Sequence, residues 1–170
     1  MTRLALFCAA AAFACAAAMP GPAVDSAREV HGSADAFAMP GLALAWAVLR
    51  APKDDETTVV MRIDADPSTY GWVEVVGQDP FSQRQDRLQP ATAIGGPFDL
   101  KVARARFAEF PRTEIRLWKT GPAPDGAPPA LVVYYLGVPD TTPEIAQPQE
   151  LDRSLSARLG RARDTVRKSP

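Results

Sequence analysis

Two tryptophans, a tyrosine and an arginine offer the best-placed binding chemistry in this chain. Strand parity over Trp72–Val76 puts Val73 and Val75 on one face and Trp72, Glu74 and Val76 on the other. The same parity over Thr113–Trp118 turns Ile115 and Leu117 inward and leaves Glu114, Arg116 and Trp118 together. Aromatic rings grouped with charges on an outward face bury large areas when a partner docks. Tyr70, Trp72, Arg116 and Trp118 are therefore the candidate binding residues, for a protein, a peptide or an envelope polymer. A competing reading has the same rings covered by this chain, through arginine stacking or the terminal helix described below.

Catalytic chemistry has fewer footholds. His31 is the only histidine, and Cys8 and Cys15 both fall within the first fifteen residues. That composition disfavours Ser-His-Asp, Cys-His and histidine-based zinc chemistry. There is no G-x-S-x-G, no H-E-x-x-H and no glycine-rich phosphate loop. Carboxylate pairs need no local signature, because the fold sets their separation. Asp64, Asp66, Glu74 and Glu114 are thus the residues a hydrolase would use. Asp64-Ala65-Asp66, with Asp54-Asp55-Glu56, has the oxygen ligands calcium wants but lacks a glycine turn and a distal glutamate. An acidic solvated turn is the simpler reading. No cofactor is implied, and a formal charge of −1 gives no electrostatic reason to seek nucleic acid.

The start of the chain reads as a cleavable secretory signal peptide over residues 1–18. Arg3 supplies the positive charge, Leu4–Phe13 the apolar stretch, and Ala16-Ala17-Ala18 a cleavage site. Gly21-Pro22-Ala23 is a second cleavage option. Pro20-Gly21-Pro22 ends the apolar run short of the roughly 20 residues a membrane span needs. Lipidation at Cys15 would expect a large aliphatic residue three places earlier, where Ala12 stands. The mature domain would hold no cysteine, so its stability must come from a buried core. Asparagine is absent and arginine far outnumbers lysine, a pattern of high-GC bacterial coding. A periplasmic or secreted bacterial protein is expected.

Residues 19–40 carry no apolar period and read as a flexible lead-in, with room for one extra edge strand. From Gly41 the pattern turns to β. Leu42, Leu44, Trp46 and Val48 alternate with Ala43, Ala45 and Ala47, and Val59, Met61 and Ile63 alternate after a polar turn, which predicts a hairpin. Further strands are expected near Trp72–Val76, Gln83–Gln89, Phe98–Val102, Thr113–Trp118 and Leu131–Leu136, with Thr120–Ala130 a mobile Pro/Gly loop. About seven antiparallel strands over residues 41–137 favour an immunoglobulin-like β-sandwich. The stretch Phe107 to Leu117 (FAEFPRTEIRL) resembles the E–F corner and following strand of fibronectin type III domains, with Ile115 where the corner tyrosine would fall. That resemblance implies the same sandwich class.

After residue 138 the period changes. Leu151, Leu155, Leu159, Ala162 and Val166 form one stripe of an amphipathic α-helix, with Glu150 and Asp152 at its start and Arg161, Arg163, Arg167 and Lys168 at its end. A basic amphipathic helix could lie on a membrane. The alanine face of Ala43–Ala47 needs a cover, however, and Leu151, Leu155 and Leu159 are expected to supply it.

Overall fold

The computed structural model describes residues 26–31, 34–50, 57–137 and 144–168. The expected signal peptide, with Cys8 and Cys15, and the turn Asp54-Asp55-Glu56 lie outside the described residues. The described chain is mainly β, in two sheets with one long C-terminal helix.

The expected hairpin forms between β3 (Leu42–Arg50) and β4 (Thr57–Ala65), with Leu42 opposite Ala65 and Arg50 opposite Thr57. Strand β7 (Phe98–Ala103) pairs with the far side of β4. The free edge of β3 is shared by two short strands. β2 (Ala36–Met39) pairs antiparallel with its first half, and β10 (Glu144–Ile145) pairs parallel at Val48 and Leu49. The second sheet holds β1 (Ser26–His31), β9 (Leu131–Leu136), β8 (Arg112–Lys119), β5 (Tyr70–Asp79) and β6 (Arg84–Ala93), in that order.

Among the described residues there are ten strands against about seven expected, and β1·β9 and β10·β3 are parallel pairings in a set expected to be antiparallel. The additions are edge pieces drawn from the lead-in and from the segment before the helix. Strands this short carry too few residues for periodicity to register. What recruits them is the need to pair the backbone groups along an open sheet edge.

The inner faces of the two sheets share one core. It includes Leu44, Trp46, Met61, Val75, Ile115 and Val133, all at most 1 % exposed. Tyr135 joins the layers, its ring edge-on to Trp46 at 4.6 Å and to Phe107 at 5.8 Å between centroids. Phe107 comes from α1 (Arg104–Ala108), a single helical turn linking β7 to β8. Nearby, Phe110 fills the space beside Gly77 so closely that a Cβ there would lie 2.5 Å from the ring.

A second apolar layer covers the outside of the β3–β4 sheet. The stripe of α2 (Pro148–Lys168) puts Leu151, Leu155 and Leu159 on Ala43, Ala45, Ala47 and Val60, as the alternating alanines require. Methyl-sized side chains let the helix approach the strand closely. Ion pairs fix its rotation: Arg62 of β4 binds Asp99 at 2.6 Å and Asp152 of the helix at 2.8 Å, and Arg163 pairs with Asp64. The hydrogen bond to Asp99 holds the Arg62 guanidinium above its ordinary pKa.

One arginine of the helix turns inward. Between the spans covered by β2 and β10, Trp46 of β3 has no strand partner on that edge. Its N–H donates to the Asp35 carbonyl at 3.2 Å, and its carbonyl accepts from Arg158 Nη1. Arg158 is 7 % exposed; burial pulls its pKa down, and Asp35 at 3.5 Å acts in the opposite sense. Among the described residues, no helix is long and apolar enough to cross a membrane.

Candidate functional site

A cleft of about 650 Å³ lies on the outer face of the β1–β9–β8–β5–β6 sheet. Its floor follows from strand parity. Glu74 of β5 and Arg116 of β8 are direct cross-strand partners, and Glu114 stands two residues before Arg116 on the same face. The Arg116 guanidinium reaches both carboxylates, donating to Glu74 Oε2 at 3.2 Å and to Glu114 Oε2 at 2.7 Å. The outer oxygens have arginines of their own. Arg87 of β6 lies 3.1 Å from Glu74 Oε1, and Arg112 lies 3.2 Å from Glu114 Oε1. Arg112 also stacks over the Tyr134 ring at 5.0 Å and donates to Gln78 Oε1.

This pairing explains how two glutamates survive at 6 % and 5 % exposure. A carboxylate taken from water without a partner costs several kcal/mol. Here Arg116 donates to one oxygen of each group, and Arg87 and Arg112 stand at ion-pair distance from the other two.

The roof is the segment Thr120–Ala130, which the sequence marks as mobile and the structure holds at several points. The Trp72 indole N–H donates to the Gly121 carbonyl at 3.0 Å, and the Trp118 indole N–H to the Ala127 carbonyl at 2.8 Å. Thr120 Oγ1 donates to the Pro67 carbonyl at 2.8 Å, and the Ala130 N–H to the Leu117 carbonyl at 2.8 Å. The segment's four prolines have no backbone N–H, which leaves it few donors for a ladder. Its carbonyls are taken instead by the two indoles.

The four residues singled out from the sequence thus separate. Arg116 and Trp118 line the cleft. Trp72 is the cross-strand neighbour of Trp118, but its ring stands outside the cleft and serves the roof. Tyr70 lies in the inner core at 8 % exposure. Residues two apart on a regular strand share a face, and a register shift between Tyr70 and Trp72 breaks that rule. Gly71 sits at the break, where a Cβ would lie 2.9 Å from Thr120 Cα. Burial raises the Tyr70 hydroxyl pKa, and the Arg28 charge opposes the rise. The indole N–H groups of Trp72 and Trp118 are both taken by the 120–130 loop, and both rings remain half-exposed.

The carboxylates separate too. Glu74 and Glu114 converge, while Asp64 and Asp66 lie at the end of β4 in the other sheet. Asp64 pairs with Arg163 of the helix. Asp66 closes its own turn, accepting from the Ser68 N–H at 2.9 Å and the Ser68 hydroxyl at 2.8 Å; these bonds hold its carboxyl below the usual range. Among the described residues, no three His, Cys, Asp or Glu side chains gather as metal ligands would.

Sequence reasoning missed Arg87, Gln85 and Tyr134 in the cleft lining. Tyr134 was legible from the parity of Leu131–Leu136. Arg87 and Gln85 lie on β6, whose pairing with β5 is irregular at two places, so no simple alternation marks their face. The chain matches no protein-family model, no curated protein and no solved structure.

Proposed function

We propose that this is an exported bacterial binding module whose ligand occupies the cleft under the 120–130 loop. The carrying observation is that a 650 Å³ cleft is floored by two buried glutamates already neutralised by arginine. A site so arranged is preorganised to recognise polar groups without further ordering cost. A carboxylate hydrolase is the alternative, favoured by the convergence of Glu74 and Glu114. It needs one carboxyl group to give a proton to the leaving group, whereas both groups here are held in ion pairs with arginines.

We further assign the domain to the immunoglobulin-like or fibronectin III-like sandwiches. Supporting this is the strand order β3–β4–β7 against β6–β5–β8–β9, in which consecutive hairpins are split between two layers. The one-turn helix at Arg104–Ala108 sits at the corner between β7 and β8, where the sequence resemblance falls. Export rests on the leader, and places the ligand in the periplasm or outside the cell. Its partner would be a protein, a peptide or an envelope polymer.

The test is retention of the purified protein on envelope fractions, compared with Gln85→Ala and Arg87→Ala at the exposed rim. Phe81→Ala, at a ring 92 % exposed and outside the cleft, is the control. Retention lost by the rim variants and kept by the control supports the module. Equal retention by all of them overturns it.

A further inference from the structure

The chemistry lining the cleft restricts what can enter. Resting on the binding reading above, we infer that the ligand is an uncharged, hydroxyl-rich molecule, a neutral oligosaccharide. Two arginines and two glutamates line the cleft, Arg87 and Arg116 against Glu74 and Glu114, so the formal charges of the lining cancel; Arg112, which pairs with Glu114 and donates to Gln78, is not part of that lining. A strongly anionic or cationic ligand would have to displace existing ion pairs and desolvate its own charge, and it finds no uncompensated opposite charge there.

A hydroxyl group meets no such conflict. Glu74 Oε2 accepts one arginine bond, and Glu74 Oε1 and Glu114 Oε1 stand only at ion-pair distance from theirs, so these oxygens keep a lone pair for a hydroxyl; a guanidinium has five N–H donors. The two glutamates take three hydrogen bonds from Arg116. Fixed donors and acceptors therefore stand side by side, and a hydroxyl is both at once. Gln85 adds another donor–acceptor pair at the rim.

The rest of the lining is apolar in the way a sugar ring requires. Trp118 and Tyr134 present aromatic surface, and Pro124, Pro128 and Pro129 contribute rigid apolar surface from the roof. A pyranose has a C–H face and a hydroxyl edge, and so can lie against the rings while its edge reaches the charged floor. A peptide fits less well. One recognition mode for extended chains is pairing with an open strand edge, whereas Glu74, Glu114 and Arg116 project from the faces of β5 and β8, each paired on both sides; the edge strand β6 contributes only the rim residues Gln85, Arg87 and Ala91.

The experiment titrates the purified protein with neutral hexasaccharides of glucose, galactose, mannose and N-acetylglucosamine, beside hexagalacturonate and a polycationic glucosamine hexamer. Binding is followed by calorimetry and by tryptophan emission. The expected result is binding of a neutral hexasaccharide, with quenching of Trp118 and little change between about 0.05 M and about 0.5 M salt. Tyr134→Ala should weaken it about tenfold, the order of one lost ring contact. Arg87→Ala removes a side chain 74 % exposed and leaves Glu74 its hydrogen bond from Arg116, and it should weaken binding several-fold. Binding only of the charged sugars, with steep salt dependence, overturns the inference. Silence of every neutral probe, while the rim variants still abolish envelope retention, also overturns it and leaves the binding module standing. Retention indifferent to those variants sinks both.

Discussion

Leu155→Ala is the sharpest probe of how the helix is held. Leu155 is fully buried, facing a strand of alanines rather than long side chains that could move in to fill a gap. Strand β3 is itself locked by β4 over nine registered pairs, so the backbone cannot follow. Leucine-to-alanine changes in cores cost about 3–5 kcal/mol, rising with the cavity that remains. A site this poor at collapsing should fall near 4 kcal/mol. For a domain of this size that is a drop of roughly 8–16 °C in thermal midpoint. In urea the midpoint should fall with the slope unchanged, since the exposed area is nearly the same. A loss below about 1 kcal/mol, the level of an exposed position, would mean that the helix does not pack on the sheet in solution. The membrane-surface role of a basic amphipathic helix would then return.

Other substitutions probe separate contacts. Gly160→Ala, at an exposed helical position where a Cβ meets nothing within 4 Å, should raise stability by about 0.5–1 kcal/mol, checked by the same melts. Gly77→Ala drives a Cβ into the Phe110 ring at 2.5 Å and should lower stability by about 1–3 kcal/mol; an unchanged midpoint would refute that packing. Arg158→Leu leaves the Trp46 carbonyl without its donor and should cost about 1–3 kcal/mol, seen in urea and as faster amide exchange along β3. Asp79 accepts from the Ser82 hydroxyl at 2.5 Å and from the Phe81 N–H at 3.0 Å, and those bonds depress its carboxyl pKa. A depressed acid stabilises the fold above its unfolded value and loses that contribution as pH falls through the folded one. Asp79→Ala should therefore flatten part of the drop in thermal midpoint on acidification below about pH 4.

The elements with strong period were legible in the sequence. Leu42–Val48 and Val59–Ile63 alternate cleanly, and their hairpin follows. The helical stripe at Leu151, Leu155 and Leu159 and the alanine face it covers are both written as residue size and spacing, so even their contact could be inferred. The floor of the cleft was half legible, because parity groups Glu74 with Trp72 and Glu114 with Arg116 but does not say which strands are neighbours.

What tertiary structure alone decided are the matters of partner and distance. Tyr70 leaves the face it should share with Trp72 because the strand pairing shifts at Gly71, and no local pattern announces that shift. Arg158 reads as one more surface charge until the gap between β2 and β10 exposes a carbonyl for it to fill. Thr120–Ala130 has the composition of a loose loop, yet the indole N–H of Trp72, remote in sequence, and that of its cross-strand neighbour Trp118 hold it as a roof. Periodicity is a property of consecutive residues, so sequence reveals which face a side chain occupies. Pairing of buried polar groups joins residues remote in the chain, and only the folded arrangement determines who meets whom.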